Sequence, residues 1–180
     1  MIYHFKHKDQ RYLAAYHTQE WRPERLEFPL RGKSEEAWLG VGYYFWVEIE
    51  FADYWGQDKK KFKTGFYDVY KADIEEENLL NASFDEKTYF RFRQMIEDTI
   101  SHFKSRNKPI TLLKATSFLA DNFWTKHNVK GIIYDDLPQN PVAKGRIYSE
   151  IPPLYFKRRI QIVVFDRDII HNFAIFKECI

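Results

Sequence analysis

The sequence predicts an α+β fold, and three observations carry that expectation. Strand-forming runs stand at 43–46 and 66–74, and again at 131–135 and 159–166, where β-branched residues crowd the middle. Two amphipathic stretches between residues 83 and 130 repeat their apolar positions every three or four residues. The two kinds of element are thus grouped, strands toward both ends and helices between, and do not alternate as in a parallel α/β sheet. With 180 residues and no linker, repeat or low-complexity stretch, the chain reads as one domain over 1–180.

In order, residues 2–6, Ile-Tyr-His-Phe-Lys, read as a short strand. Arg11 to Tyr16 suits a short helix, and the polar stretch after it, with Pro23, Pro29 and Gly32, reads as loop. Gly40 and Gly42 form a glycine turn ahead of an aromatic strand, Tyr43 to Trp46. Phe51, Ala52 and Trp55 then fall on one face of a helix. The lysine run from Asp58 to Lys63 reads as a solvated loop.

Ser83 and Glu86 have capping-box spacing, and the helix behind them sets Tyr89, Phe92, Ile96, Ile100 and Phe103 on one stripe. Asn107-Lys108-Pro109 breaks that helix. A second begins near Thr111, with Leu112, Ala115, Leu119 and Phe123 facing inward. Gly131 to Asp135 reads as a buried strand, 137–159 as a long connection, and 169–176 as a final edge strand.

Composition narrows the class. Charged residues make up 30% and apolar ones 44%, the balance of an ordinary globular domain. A net charge of +2 points to neither nucleic acid nor membrane. Aromatics reach 18%, enough to leave rings for stacking on a ligand. One cysteine, Cys179, admits no internal disulfide and suits a reducing compartment, so a cytoplasmic location is expected. No apolar run is long enough for a membrane span, the first residues lack a signal-peptide core, and no cluster has metal-ligand spacing.

Gly40-Val41-Gly42-Tyr43-Tyr44-Phe45, followed by a helix carrying a second aromatic, resembles the central motif of the ADP-ribosyltransferase superfamily. The likeness is nearest to the branch of diphtheria-type toxins and poly(ADP-ribose) polymerases. The resemblance implies two small, mainly antiparallel sheets packed face to face, split by an NAD cleft, with helices outside. It implies Tyr44 and Trp55 stacking on nicotinamide, with Tyr54 as the alternative to Trp55, and Gly42 beside them.

The family's first motif, an aromatic followed by His on an early strand, matches Tyr3-His4; it would make His4 the ligand of the adenosine ribose and Phe5 the backbone contact to the carboxamide. Phe5 stands where the family often has Gly. The third motif, laid on Val163-Val164-Phe165-Asp166, puts Gln161 where the catalytic Glu belongs. Some bacterial members of the group carry Gln there. Gln161 can hold the ribose hydroxyl but cannot act as a base, so poly-transfer is not expected. Glu150 and Asp166 are nearby acids in sequence that could substitute for the missing Glu.

These likenesses lead to an NAD-dependent mono-ADP-ribosyltransferase, with His4, Tyr44 and Gln161 as its catalytic residues and NAD as its substrate. Two alternatives stand beside it: an NAD glycohydrolase on the same fold, and an inactive member that binds a nucleotide or a partner. The resemblance also implies a toxin, with a neutralising antitoxin as a partner. Arg22, Arg25 and Arg31 are candidates for the pyrophosphate. Lys144, Arg146, Tyr155, Arg158 and Arg159 interleave cations with rings before the third motif, a pattern suited to a macromolecular acceptor, protein or single-stranded nucleic acid.

Overall fold

A computed structural model of the chain describes residues 4–7, 9–32, 37–136 and 158–179. The fold is α+β, a mixed sheet with a few helices. Its strands are β1 (His4–His7), β2 (Gln10–Glu20), β3 (Tyr43–Trp46), β4 (Tyr67–Glu75), β5 (Leu79–Asn81), β6 (Gly131–Asp135), β7 (Ile160–Val164) and β8 (Ile170–Cys179). The helices are α1 (Ile49–Trp55), α2 (Lys61–Thr64), α3 (Glu86–Ser105) and α4 (Leu112–Leu119). Strand order is β5-β6-β7-β3-β2-β4-β8, with β1 added to β2. Among these pairings only β5 with β6 is parallel.

The sheet is weakest in its middle. β2 pairs with β4 from Tyr12↔Glu75 to Glu20↔Tyr67, but it meets β3 at one position, Tyr16↔Trp46. The chain passes from β7 to β8 through residues 165–169, part of which is a tight turn, Arg167–Ile169. In a flat sheet β7 and β8 would be four strand spacings apart, roughly 19 Å. A connection that short, rising only about 2 Å per residue in its tight turn, does not span that gap comfortably.

The sheet therefore folds at its weak middle and brings its two halves together. The cluster between them draws Leu13, Ala72, Ile74 and Ile170 from one half and Phe45, Ile133, Ile162 and Val164 from the other. None of α1 to α4 contributes to it. Phe28 bridges the halves, its ring 5.4 Å from that of Tyr43 and 6.2 Å from that of Phe173.

The outer faces carry the helices. α3 and α4 cover Leu80, Ile132 and Val163 with Phe92, Met95 and Leu119. α1 covers Tyr16, Trp46 and Val69 with Phe51 and Ala52. No helix among the described residues is long and apolar enough to cross a membrane.

Four local expectations are corrected. Arg11 to Tyr16 is strand, because nine of the eleven residues of β2 are paired on β4 and that ladder overrides the helix propensity of Leu13-Ala14-Ala15. The lysine run is helical: α1 continues through a wide turn, Gly56–Lys60, into α2, which stops at Gly65 with φ 83°. The cap of α3 is Asp85, whose carboxylate accepts from Thr88 N at 2.7 Å, and not Ser83. The buried line of α3 is Phe92, Met95, Thr99 and Phe103, while Tyr89 is exposed.

Candidate functional site

The site lies where β2 and β3 part. Before Tyr16 the free edge of β2 is taken by β1, from His4↔Leu13 to His7↔Gln10. After it, β2 diverges from β3, and β3's extension meets a loop instead, Gly32 N donating to Gly42 O at 2.8 Å. A cavity of about 440 Å³ opens in this fork, within the usual range of small-molecule sites, about 300–1,000 Å³. β2 contributes His17, Thr18 and Gln19 to its walls, β3 Tyr44 and Trp46, α1 Trp55 and β7 Gln161. Leu30, Arg31, Gly32, Ala37, Trp38 and Asp136 complete them from the connecting segments, with Lys60 from the helical turn after α1.

The glycine turn makes the close approach of β3 to β7 feasible. Gly40 has φ 102°, a conformation L side chains resist. A Cβ on Gly42 would sit 2.6 Å from Val163 Cγ2 and 2.7 Å from the Val164 carbonyl. The turn is braced by Tyr44, whose hydroxyl donates to Gly40 O at 2.7 Å and accepts from Leu39 N at 3.2 Å. Burial pushes the Tyr44 hydroxyl up to about 12, so it stays protonated and keeps both bonds. One flank of the ring lies under Gly32, where a Cβ would come within 3.3 Å of Tyr44 Cδ2.

Gln161 is the centre of a cross-strand row. Its partners in register are Tyr134 on β6 and Trp46 on β3, and Trp46 is in turn opposite Tyr16 on β2. Only 7% of Gln161 is exposed, and its Oε1 accepts from Trp38 Nε1 at 2.9 Å. Trp46 stands between Gln161 and the helix, its ring 6.0 Å from that of Trp55.

The histidine brought to this cavity is His17. His4 lies on exposed β1, hydrogen-bonded to Glu76, and Phe5 stacks on Tyr12; neither lines the cavity. Tyr3 falls outside the described residues. The physical reason is pairing: β1 is a hairpin arm added to β2, whereas β2 is the strand that touches β3. His17 is 6% exposed, and its Nδ1 is 2.9 Å from the Tyr44 carbonyl. A carbonyl only accepts, so Nδ1 carries the proton and Nε2 holds a lone pair. Among the described residues Nε2 is buried without a hydrogen-bond partner, with the Gln19 side chain near enough to favour protonation of the ring. Burial lowers the imidazole to about 4, against the raising effect of its bond to Tyr44, which leaves it neutral.

Tyr16-His17 repeats the aromatic–His pair of Tyr3-His4, and that repeat was the signal available in the sequence. Asp136, Lys60 and Trp38 had no comparable signal.

The cations sort by their partners. Arg22 pairs with Glu20 and Arg25 with Glu178. Arg31 is exposed and, among the described residues, makes no hydrogen bond or ion pair. Arg158 is held by the Asp135 carboxylate and the Ser83 carbonyl, over the ring of Phe84. Arg159 pairs with Asp136 and lies 5.1 Å over the Trp46 ring. Both arginines are thus engaged within the fold. Lys144, Arg146, Tyr155 and Glu150 lie outside the described residues.

Asp166 stands away from Gln161's cavity: it pairs with Lys130 at 3.2 Å, accepts from Asp168 N at 3.0 Å and lines a second cavity beside α4. No group of three or more His, Cys, Asp or Glu among the described residues could hold a metal. No known protein family, curated protein or solved structure matches the chain.

Proposed function

We propose that this protein is an NAD-dependent mono-ADP-ribosyltransferase that moves ADP-ribose from NAD to a macromolecular acceptor. The observation that carries the reading is convergence: His17, Tyr44, Trp55 and Gln161, from three strands and a helix, line one cavity at the fork of a folded sheet. The resemblance implies two sheets around an NAD cleft; here a single sheet forks at its weak middle, and in this reading that fork serves as the cleft, with His17 taking the place expected of His4.

In this reading the nicotinamide ring lies between Tyr44 and Trp55, with Trp46 as the floor. The Gln161 amide holds a hydroxyl of the adjoining ribose. His17, neutral at physiological pH, offers Nε2 as acceptor to a hydroxyl of the adenosine ribose, which would satisfy that buried lone pair. Arg31, free of other partners among the described residues, meets the pyrophosphate. The protein's contribution is mainly to hold NAD oriented and away from water, so that the glycosidic bond loosens as charge leaves the pyridinium. With Gln in place of Glu, transfer stops after one unit.

The test is nicotinamide release from NAD, measured by chromatography, with and without cell lysate. Label from adenine-labelled NAD should appear in a protein or nucleic-acid fraction only when lysate is present. Free ADP-ribose at the same rate without lysate would make the protein a glycohydrolase. No nicotinamide in any condition would reject both.

A further inference from the structure

We propose that Asp136 is the general base of the reaction, taking the proton of the attacking acceptor in place of the absent glutamate. This rests on the transferase reading above. Gln161 cannot accept a proton at neutral pH. Asp136 is the only carboxylate among the described residues that line the cavity. It follows β6 directly, and its N–H donates to Arg159 O at 2.8 Å, which carries the β6–β7 ladder one step past Asp135↔Ile160.

Strand alternation then sets Asp136 on the face of Tyr134, and Arg159 on the face of Gln161. Asp136 is thus the diagonal neighbour of Gln161 across two strands, a separation of about 7–8 Å. That distance leaves room for a nucleophile between the carboxylate and a ribose held by Gln161.

The surroundings prepare the carboxylate for this task. Arg159 binds Oδ2 and is itself stacked on Trp46, which fixes the orientation of the acid. Oδ1 makes no hydrogen bond among the described residues. Burial raises the carboxyl above its ordinary range, and Arg159 opposes that rise. A carboxylate made more basic by burial, with one cation opposing that rise, is suited to receive a proton.

In the step itself, the acceptor oxygen or nitrogen bonds to the anomeric carbon as the bond from that carbon to nicotinamide breaks. The electron pair of the broken bond stays on the nicotinamide nitrogen and neutralises the pyridinium. The acceptor's proton passes to Asp136 Oδ1 and from there to water.

The experiment compares Asp136→Asn with the unsubstituted protein in NAD plus cell lysate as the source of acceptor, less the rate of lysate alone, with and without sodium azide. Azide has no proton to lose, so it needs no base. Without azide the variant should release nicotinamide at least about 100-fold more slowly. With azide its rate should approach that of the unsubstituted protein, with ADP-ribosyl azide as product. NAD binding, followed by tryptophan fluorescence, should stay within about threefold.

If Asp136→Asn fails to fold, the double variant Asp136→Asn/Arg159→Met, which leaves no unpaired charge, should show the same slow release and the same rescue by azide. A variant as fast as the unsubstituted protein, or a loss that azide does not relieve, overturns the role of Asp136 and leaves the transferase reading standing. No nicotinamide from the unsubstituted protein overturns the transferase reading, and this one with it.

Discussion

Acid should destabilise this protein through His17, and the size of the effect follows from its burial. The ring is 6% exposed, donates from Nδ1 to the Tyr44 carbonyl and leaves Nε2 without a partner among the described residues, so protonation would strand a charge in the fold. Its folded value of about 4 lies below the ordinary 6.5 that it regains on unfolding. Between those two values the unfolded chain binds the extra proton, so stability rises with pH through that window and is lost as pH falls from about 6.5 to about 4. At about 1.4 kcal/mol per pH unit, the whole displacement is worth about 3 kcal/mol, of which about 2 kcal/mol is gone by pH 5.

The test uses His17→Asn, whose amide nitrogen can still donate to the Tyr44 carbonyl but does not titrate. Urea unfolding of both proteins at pH 7.5 and pH 5 cancels the other groups. The loss on acidification should be about 2 kcal/mol greater for the unsubstituted protein. Equal losses would mean that His17 is hydrated or protonated in the fold, and the account of a neutral buried imidazole would fail.

Other outcomes can be checked alongside. Gly42→Ala should lower the urea midpoint by the equivalent of about 1–3 kcal/mol, because the new methyl meets Val163 and the Val164 carbonyl; an unchanged midpoint would contradict the close β3–β7 approach. Tyr44→Phe leaves Leu39 N and Gly40 O without their partner, so stability should fall by about 1 kcal/mol while the stacking face for NAD remains. Gln161→Ala should slow NAD cleavage by roughly tenfold, the worth of one hydrogen bond of about 1.4 kcal/mol, and shift the emission of Trp38, which loses its acceptor; wild-type cleavage would remove Gln161 from the site. Arg31→Ala should raise KM for NAD with kcat little changed, measured at low salt, as expected for a contact made equally in ground and transition states.

What the sequence by itself determined is the set of elements whose signals are local. Tyr43–Trp46, Gly131–Asp135 and Ile160–Val164 are strands because β-branched and aromatic residues at those positions suit a pleated surface wherever it forms. The glycine turn was legible because Gly42 admits no side chain against β7. Tyr44, Trp55 and Gln161 were named through the resemblance to the ADP-ribosyltransferase motifs, and all three line one cavity.

What only the tertiary structure decided is everything that depends on which strand lies beside which. Tyr3-His4 and Tyr16-His17 read alike in one dimension; the one pair Tyr16↔Trp46 puts His17, and not His4, beside β3. Arg158 and Arg159 looked like a free basic surface, yet pairing of β6 with β7 sets both against acids, Asp135 and Asp136. The stripe of α3 showed its period in the sequence, but the sheet beneath it chose Met95 and Thr99 as its centre. Local propensity acts over one turn or one strand, whereas a site assembled at the fork of a folded sheet depends on contacts between residues more than a hundred positions apart, such as Trp38 with Gln161.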